Sequence, residues 1–320
     1  MASYDIFNGD ADGICALQQL RLAQPRDSRL ITGVKRDVAL LAGVQAGPGD
    51  DLTVLDISLD ENRAALERVL AAGAHCTYFD HHFPGPIPNH PNLVAHIRYA
   101  PDVCTSLIVD QHLDGRFRAW AVVAAFGDNL PGPARAAALH LDLDATRVER
   151  LRVLGECINY NAYGDRLEDL RFHPAALYWR LSPFADPLEF ADQDPAFEIL
   201  RGGYEQDLET ALSVPPLLDT SSHRVVVLPD ADWSRRVHGV LANRLASANP
   251  SVAHAVLVSH GGAYRVSVRA PTSRPSGADA LCRAFPTGGG RPGAAGINHI
   301  AHDRLQEFLS AFQAAFGPQR

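Results

Sequence analysis

The sequence predicts a two-domain α/β protein, with a parallel N-terminal sheet followed by a smaller α/β unit. Three observations carry this. Short apolar segments alternate with helix-period segments from residue 4 to residue 79, and parallel strands need such crossover connections. A long helical pattern over 198–213 runs into Pro215-Pro216, and a second strand–helix–strand series begins at Arg224. Carboxylates and histidines follow several of the N-terminal apolar segments, where α/β sheets place their ligands.

Taken in order, residues 4–7 read as a buried strand that enters the turn-rich stretch Asn8-Gly9-Asp10-Ala11-Asp12-Gly13 and then a helix over 14–23. Strands are expected at 30–34, 52–57 and 75–79, with helices near 37–42 and over 60–72. From Cys104 the chain turns helical, with helix-period apolar residues over 105–112, 119–126 and 146–160. Residues 172–195, rich in Pro, Phe and Asp, read as loop and short helices. In the second unit, 225–228 and 253–258 are strands around a helix at 233–246. His260-Gly261-Gly262 turns the chain into an alternating strand at 263–269. Gly288-Gly289-Gly290 reads as a loop, and 304–316 as an amphipathic helix.

At 320 residues, 46% hydrophobic and 21% charged, the chain has the composition of a globular protein with room for two cores. A net charge of -8 argues against a general electrostatic grip on long nucleic acid. The five cysteines are scattered without a C-x-x-C pair. They read as buried free thiols, as expected of a protein in a reducing cytoplasm. No secretory signal and no membrane-spanning segment is expected.

The chemistry concentrates at the strand ends. Asp10 and Asp12 share one tight turn, where either a helix cap or a metal ligand pair is a fair reading. Asp56 ends the apolar run Val54-Leu55, and Asp80-His81-His82 ends 75–79. Asp128 follows Gly127 at the end of an Ala/Val-rich helix, as a solvated loop residue or as another carboxylate at the same mouth. Four Asp with a His suit hard or borderline ions such as Mn²⁺ or Mg²⁺. Arg269 is open to an easier account, an outward-facing charge on an alternating strand.

Asn8-Gly9-Asp10-Ala11-Asp12-Gly13, Leu55-Asp56, Asp80-His81-His82 and Gly127-Asp128 resemble, in order, the four motifs of the DHH phosphoesterase family. Val266-Ser267-Val268-Arg269 and the run from Gly288-Gly289-Gly290-Arg291 to Gly296 resemble its usual partner, the DHHA1 domain. The resemblance implies a DHH metal-binding catalytic domain over 1–195, a helical linker over 196–222, and a DHHA1 substrate-binding domain over 223–320. The active site is then expected in the cleft between the domains.

By the same resemblance, two Mn²⁺ or Mg²⁺ ions are expected. Asp10 and Asp56 would hold one, and Asp12, Asp56, His81 and Asp128 the other, with Asp56 shared. His82 would contact the substrate phosphate or protonate the leaving oxygen, and Asp80 would orient a histidine. Arg269, Gly288, Gly289, Gly290 and Arg291 would bind substrate. Two positions depart from the pattern. Ile6 stands where the family has a metal-binding His, which makes the first site weak, with Asn8 as a substitute oxygen donor. Arg291 stands where a His follows the three glycines.

The implied activity is metal-dependent hydrolysis of phosphate esters in short oligonucleotides or small nucleotides, of the pAp or cyclic-dinucleotide type. A nucleotide-binding regulatory module, or a hydrolase of a non-nucleotide phosphate ester, are the alternatives. The expected partner is a nucleotide or short single strand, with no membrane and no long duplex; a homodimer is compatible with the sequence.

Overall fold

A computed structural model describes residues 1–317 of the chain, which forms two units, Met1–Gly203 and Tyr204–Arg320. In the first, strand β1 (Ser3–Phe7) leads into helix α1 (Ala11–Ala23). The strand β2 (Arg29–Ile31), strand β3 (Asp51–Leu55), helix α2 (Leu59–Ala71) and strand β4 (His75–Asp80) follow. β1, β3 and β4 are almost wholly buried, as the near-continuous apolar runs of a sheet covered on both faces require. The segment near residue 40 is a 3-10 turn, Leu40–Gly43.

An edge strand, β5 (Leu93–Ile97), is only half buried and has no clear apolar signature in the sequence. All five strands are parallel, in the order β2-β1-β3-β4-β5. The order reverses between β1 and β3, the switch point at which such sheets open a crevice beyond their carboxyl ends.

Helices α3 (Thr105–His112), α4 (Arg118–Gly127), α5 (Pro131–Ala138), α6 (Ala145–Ala162), α7 (Pro174–Leu181) and α8 (Pro187–Gln193) complete this unit, and α9 (Pro195–Ser213) leads out of it. α4 is buried from Trp120 to Gly127, as a helix apolar on every side must be. Cores lie on both faces of the sheet, one with α1, α3, α4 and α6 and one with α2.

In the second unit, β6 (Leu218–Asp219), β7 (His223–Leu228), α10 (Asp232–Ala248), β8 (Ala253–His260), β9 (Ala263–Arg269), α11 (Ala278–Arg283), β10 (Gly288–Arg291), β11 (Ala294–Ala301) and α12 (Leu305–Phe316) follow in sequence. The sheet is mixed, in the order β10-β11-β9-β8-β7-β6. The triple glycine is not a loop, as its composition suggests, but the edge strand β10, paired antiparallel with β11. Its lack of side chains is what allows this: a Cβ at Gly288 would lie 1.8 Å from the Cys282 carbonyl oxygen.

Candidate metal centre

The first contribution comes from the end of β1. Asp10 is the cap of α1, its Oδ1 accepting from the amides of Asp12 at 3.0 Å and Gly13 at 3.1 Å. Asp12 is therefore released from capping. Its carboxylate turns to the start of α3, where Oδ2 accepts from the Thr105 amide and Oδ1 from the Ser106 amide, both at 2.7 Å. These amides lie at the positive end of that helix, and Asp12 is 1% exposed.

Asp56, beyond β3, sits at φ 58°, a conformation that few residues other than glycine adopt. It is 2% exposed and accepts from the Thr105 hydroxyl at 3.1 Å. Beyond β4, His81 Nδ1 lies 2.9 Å from the Val103 carbonyl oxygen, so Nδ1 carries the proton. Nε2 is then the nitrogen turned to the carboxylates. It lies 3.4 Å from Asp56 Oδ1, 3.9 Å from Asp128 Oδ2 and 4.0 Å from Asp12 Oδ2. Ligand atoms of Asp12, His81 and Asp128 lie within 4.8 Å of one another, and so do those of Asp56, His81 and His82.

Asp128 caps the carboxyl end of α4. It reaches the other carboxylates because α4 and α6 nearly touch: a Cβ at Gly155 would lie 2.1 Å from the Val123 carbonyl oxygen, and one at Gly127 2.7 Å from that of Gly155. Asp80 is fully buried, and its Oδ1 accepts from His82 Nδ1 at 2.7 Å and from the His81 amide at 2.9 Å. Its Oδ2 is without a hydrogen-bond partner among the described residues. Asp80 thus orients His82 and leaves the latter's Nε2 available.

Sequence reasoning missed Lys35. Its ammonium hydrogen-bonds Asp10 Oδ2, lies 3.4 Å from Asp128 Oδ1 and 3.3 Å from Asn159 Oδ1, and sits 5.7 Å from the Tyr163 ring centre. The loop after β2 carries it there. That loop packs so closely on the end of β1 that a Cβ at Gly9 would lie 2.0 Å from the Gly33 carbonyl oxygen. Asn8 Nδ2 donates to the Lys35 carbonyl at 3.1 Å, and the Lys35 amide donates to the Ala162 carbonyl at 3.0 Å. One signal was available: Lys35 is the only lysine among the chain's 29 basic residues.

The electrostatics follow from this crowding. Burial, then the charges of Asp12, Asp10 and Asp128, push the Asp56 carboxyl well above its ordinary value. Burial also raises Asp128; Lys35 offsets part of this, and Asp12 and Asp10 add to it. For Asp10 burial opposes ionisation, yet Lys35 and the Gly13 amide bring it below the ordinary value. Burial alone would lower the Lys35 ammonium, but Asp10 above all, then Tyr163 and Asp128, hold it well above the usual lysine range. Burial likewise opposes charge on His82, which the hydrogen bond and charge of Asp80 outweigh, so its pKa rises.

Four carboxylates face one ammonium, which leaves a cation-seeking pocket. The set of carboxylate oxygens with one imidazole nitrogen fits a divalent ion of the Mn²⁺ or Mg²⁺ type. Ile6 is fully buried in the core and offers nothing to this centre. Asn8 Oδ1 accepts from the Asp10 amide at 3.2 Å, so its side-chain amide spans the turn and fastens the Lys35 loop.

In the second unit, Arg291 and Arg269 both pair with Ala294, one from each side. They occupy one row of the sheet, two strand spacings or roughly 10 Å apart. Arg291 is exposed, and Arg269 Nε donates to Asn243 Oδ1 at 2.7 Å.

Residues 222–317 match the family model of the DHHA1 domain. No curated protein matches the sequence. Among solved structures, the chain is similar to the exonuclease RecJ bound to manganese, at TM-score 0.64 and 17% identity over 100% of this chain and 91% of that one. It is similar to RecJ from Thermus thermophilus in complex with Mn²⁺, at TM-score 0.60 and 18% identity over 98% of this chain and 51% of that longer one. It also resembles the pGpG-specific phosphodiesterase PggH from Vibrio cholerae, at TM-score 0.60 and 14% identity over 98% and 100%. The chain has the RecJ-like, two-domain DHH/DHHA1 fold.

Proposed function

We propose that this protein is a divalent-metal-dependent phosphoesterase acting on short oligonucleotides or small nucleotides. The observation that carries the reading is the convergence of Asp12, Asp56 and Asp128 on Nε2 of His81. Those four residues would hold an Mn²⁺ or Mg²⁺ ion, which when bound supplies a water acidic enough to act as nucleophile near neutral pH. The resemblance implies a second ion between Asp10 and Asp56, at the position where Lys35 approaches. Because burial raises Asp56 and Asp128, the pocket should fill more readily as pH rises.

His82, oriented through Nδ1 by Asp80, presents Nε2 to the leaving oxygen. Its raised pKa keeps it protonated closer to neutral pH, so that Nε2 can deliver the proton the departing alkoxide needs. Arg269 and Arg291 are the residues of the C-terminal unit proposed to grip a phosphate that does not react, Arg291 as a fixed charge in place of a titrating His. The net charge of -8 favours small or short substrates over long nucleic acid. No helix among the described residues is long and apolar enough to cross a membrane, which is compatible with the cytoplasmic location proposed from the free cysteines.

Hydrolysis of bis(p-nitrophenyl) phosphate, pAp and a dinucleotide, each with and without Mn²⁺, tests the reading. Turnover of at least one that needs the metal is expected. Tight nucleotide binding with no turnover of any would replace the enzyme by a nucleotide-binding module.

A further inference from the structure

The position of Lys35 carries an inference about how many ions this centre takes. Among the described residues, neither set able to hold a metal includes Asp10. Its Oδ1 is taken by the Asp12 and Gly13 amides, and its Oδ2 by the Lys35 ammonium. The neighbouring strand position is Ile6, buried and apolar. The loop that delivers Lys35 is fastened from three sides, by the Gly9–Gly33 contact, by Asn8 and by Ala162. A lysine tip is a compact point charge with three donors, and here three oxygens, from Asp10, Asp128 and Asn159, surround it. A guanidinium, chosen at the other 28 basic positions, is planar and larger.

We propose that Lys35 takes the place of one metal ion, so that the centre binds a single divalent cation and uses the Lys35 ammonium as its permanent second cation. The ion belongs to Asp12, Asp56, His81 and Asp128. With Asp128 turned to the ion, the ammonium exchanges its long 3.4 Å contact to that carboxylate for a non-bridging oxygen of the substrate phosphate, stabilising the charge that builds there in the transition state. This deepens the metal-dependent reading above and rests on it.

Manganese titration of the wild-type protein, followed by metal analysis and electron paramagnetic resonance, separates the outcomes. One Mn²⁺ per chain with the spectrum of an isolated ion is expected. Two ions per chain with an exchange-coupled spectrum would overturn the proposal and leave the metal-dependent reading intact. No bound manganese would overturn both. Lys35→Ala should retain one ion per chain while kcat falls by roughly 10²- to 10³-fold, the cost of losing one such electrostatic contact. Added ethylammonium should recover part of that loss, which a merely structural lysine would not permit. Wild-type kcat in Lys35→Ala would overturn the proposal. The wild-type ion count stands whether or not that variant folds.

Discussion

Asp5 lies in the middle of β1 and Asp10 just beyond its carboxyl end, and these two buried carboxylates have opposite surroundings. Asp5, 1% exposed, is matched: Arg21 grips both its oxygens, Nε at 2.8 Å, and Ser28 donates at 2.5 Å. Arg21 also donates to Thr53 at 2.9 Å, tying β1 to β3. Beyond the strand Asp10 is equally buried, but it joins Asp12, Asp56 and Asp128 in a cluster where one lysine pairs with Asp10 and Asp128 alone. Residue type and burial are the same; charge balance differs. A matched carboxylate holds the fold together, whereas a surplus of them is a place prepared for something else.

The two surroundings should therefore respond to substitution with opposite signs. Asp56→Asn removes a carboxylate crowded by three others and takes a proposed ligand from the ion, so turnover should drop by about 10³-fold or more, near 4 kcal/mol of barrier. The thermal midpoint of the metal-free protein should stay level or rise. Arg21→Met leaves Asp5 buried and unpaired, and chemical denaturation should register a loss of about 3–5 kcal/mol. Turnover per folded molecule should hardly change. If Asp56→Asn destabilised the metal-free protein as Arg21→Met does, the contrast would collapse.

A smaller effect is expected at Asp80. Asp80→Asn weakens the charge that holds His82 protonated, so kcat should fall by about tenfold. The alkaline limb of its pH profile should move to lower pH, with the metal count unchanged.

The contrast also has a pH signature. Asp56 and Asp128 have raised values in the folded chain. The metal-free folded state therefore binds more protons than the unfolded state above the ordinary carboxyl value of 3.8. Its stability then falls as pH rises from there to the folded values. Metal binding needs the deprotonated forms. The rise in thermal midpoint on adding Mn²⁺ should thus be small in mildly acidic buffer and grow towards alkaline pH. A rise independent of pH would mean that these carboxylates are not the ligands. The smallest change is expected at the exposed Arg291, where Arg291→Ala should raise KM by about fivefold with kcat preserved, the mark of lost uniform binding.

Much of the centre is legible in the sequence because polar groups that directly follow apolar runs stand out. Asp10, Asp12, Asp56, His81 and Asp128 can be read this way, and the structure brings them together. Lys35 cannot, since β2 is only three residues long and half exposed, and its partners lie 25, 93 and 124 positions away. Thr105 and Ser106 contribute backbone amides, which every residue but proline has and no sequence displays. The triple glycine reads as a loop because a strand without side chains has no periodicity; pairing with β11 alone makes it one. β5 escapes notice for a related reason, an edge strand with one clear apolar face too few.

The solitary lysine has a practical consequence. Amine-directed reagents find one side-chain address in the whole chain, and it lies on the floor of the proposed centre. Its carboxylate neighbours hold that amine as the unreactive ammonium, so acylation, followed by mass measurement of the intact protein, should be slow in the wild type and faster in Asp10→Asn, a built-in gauge of this one pairing.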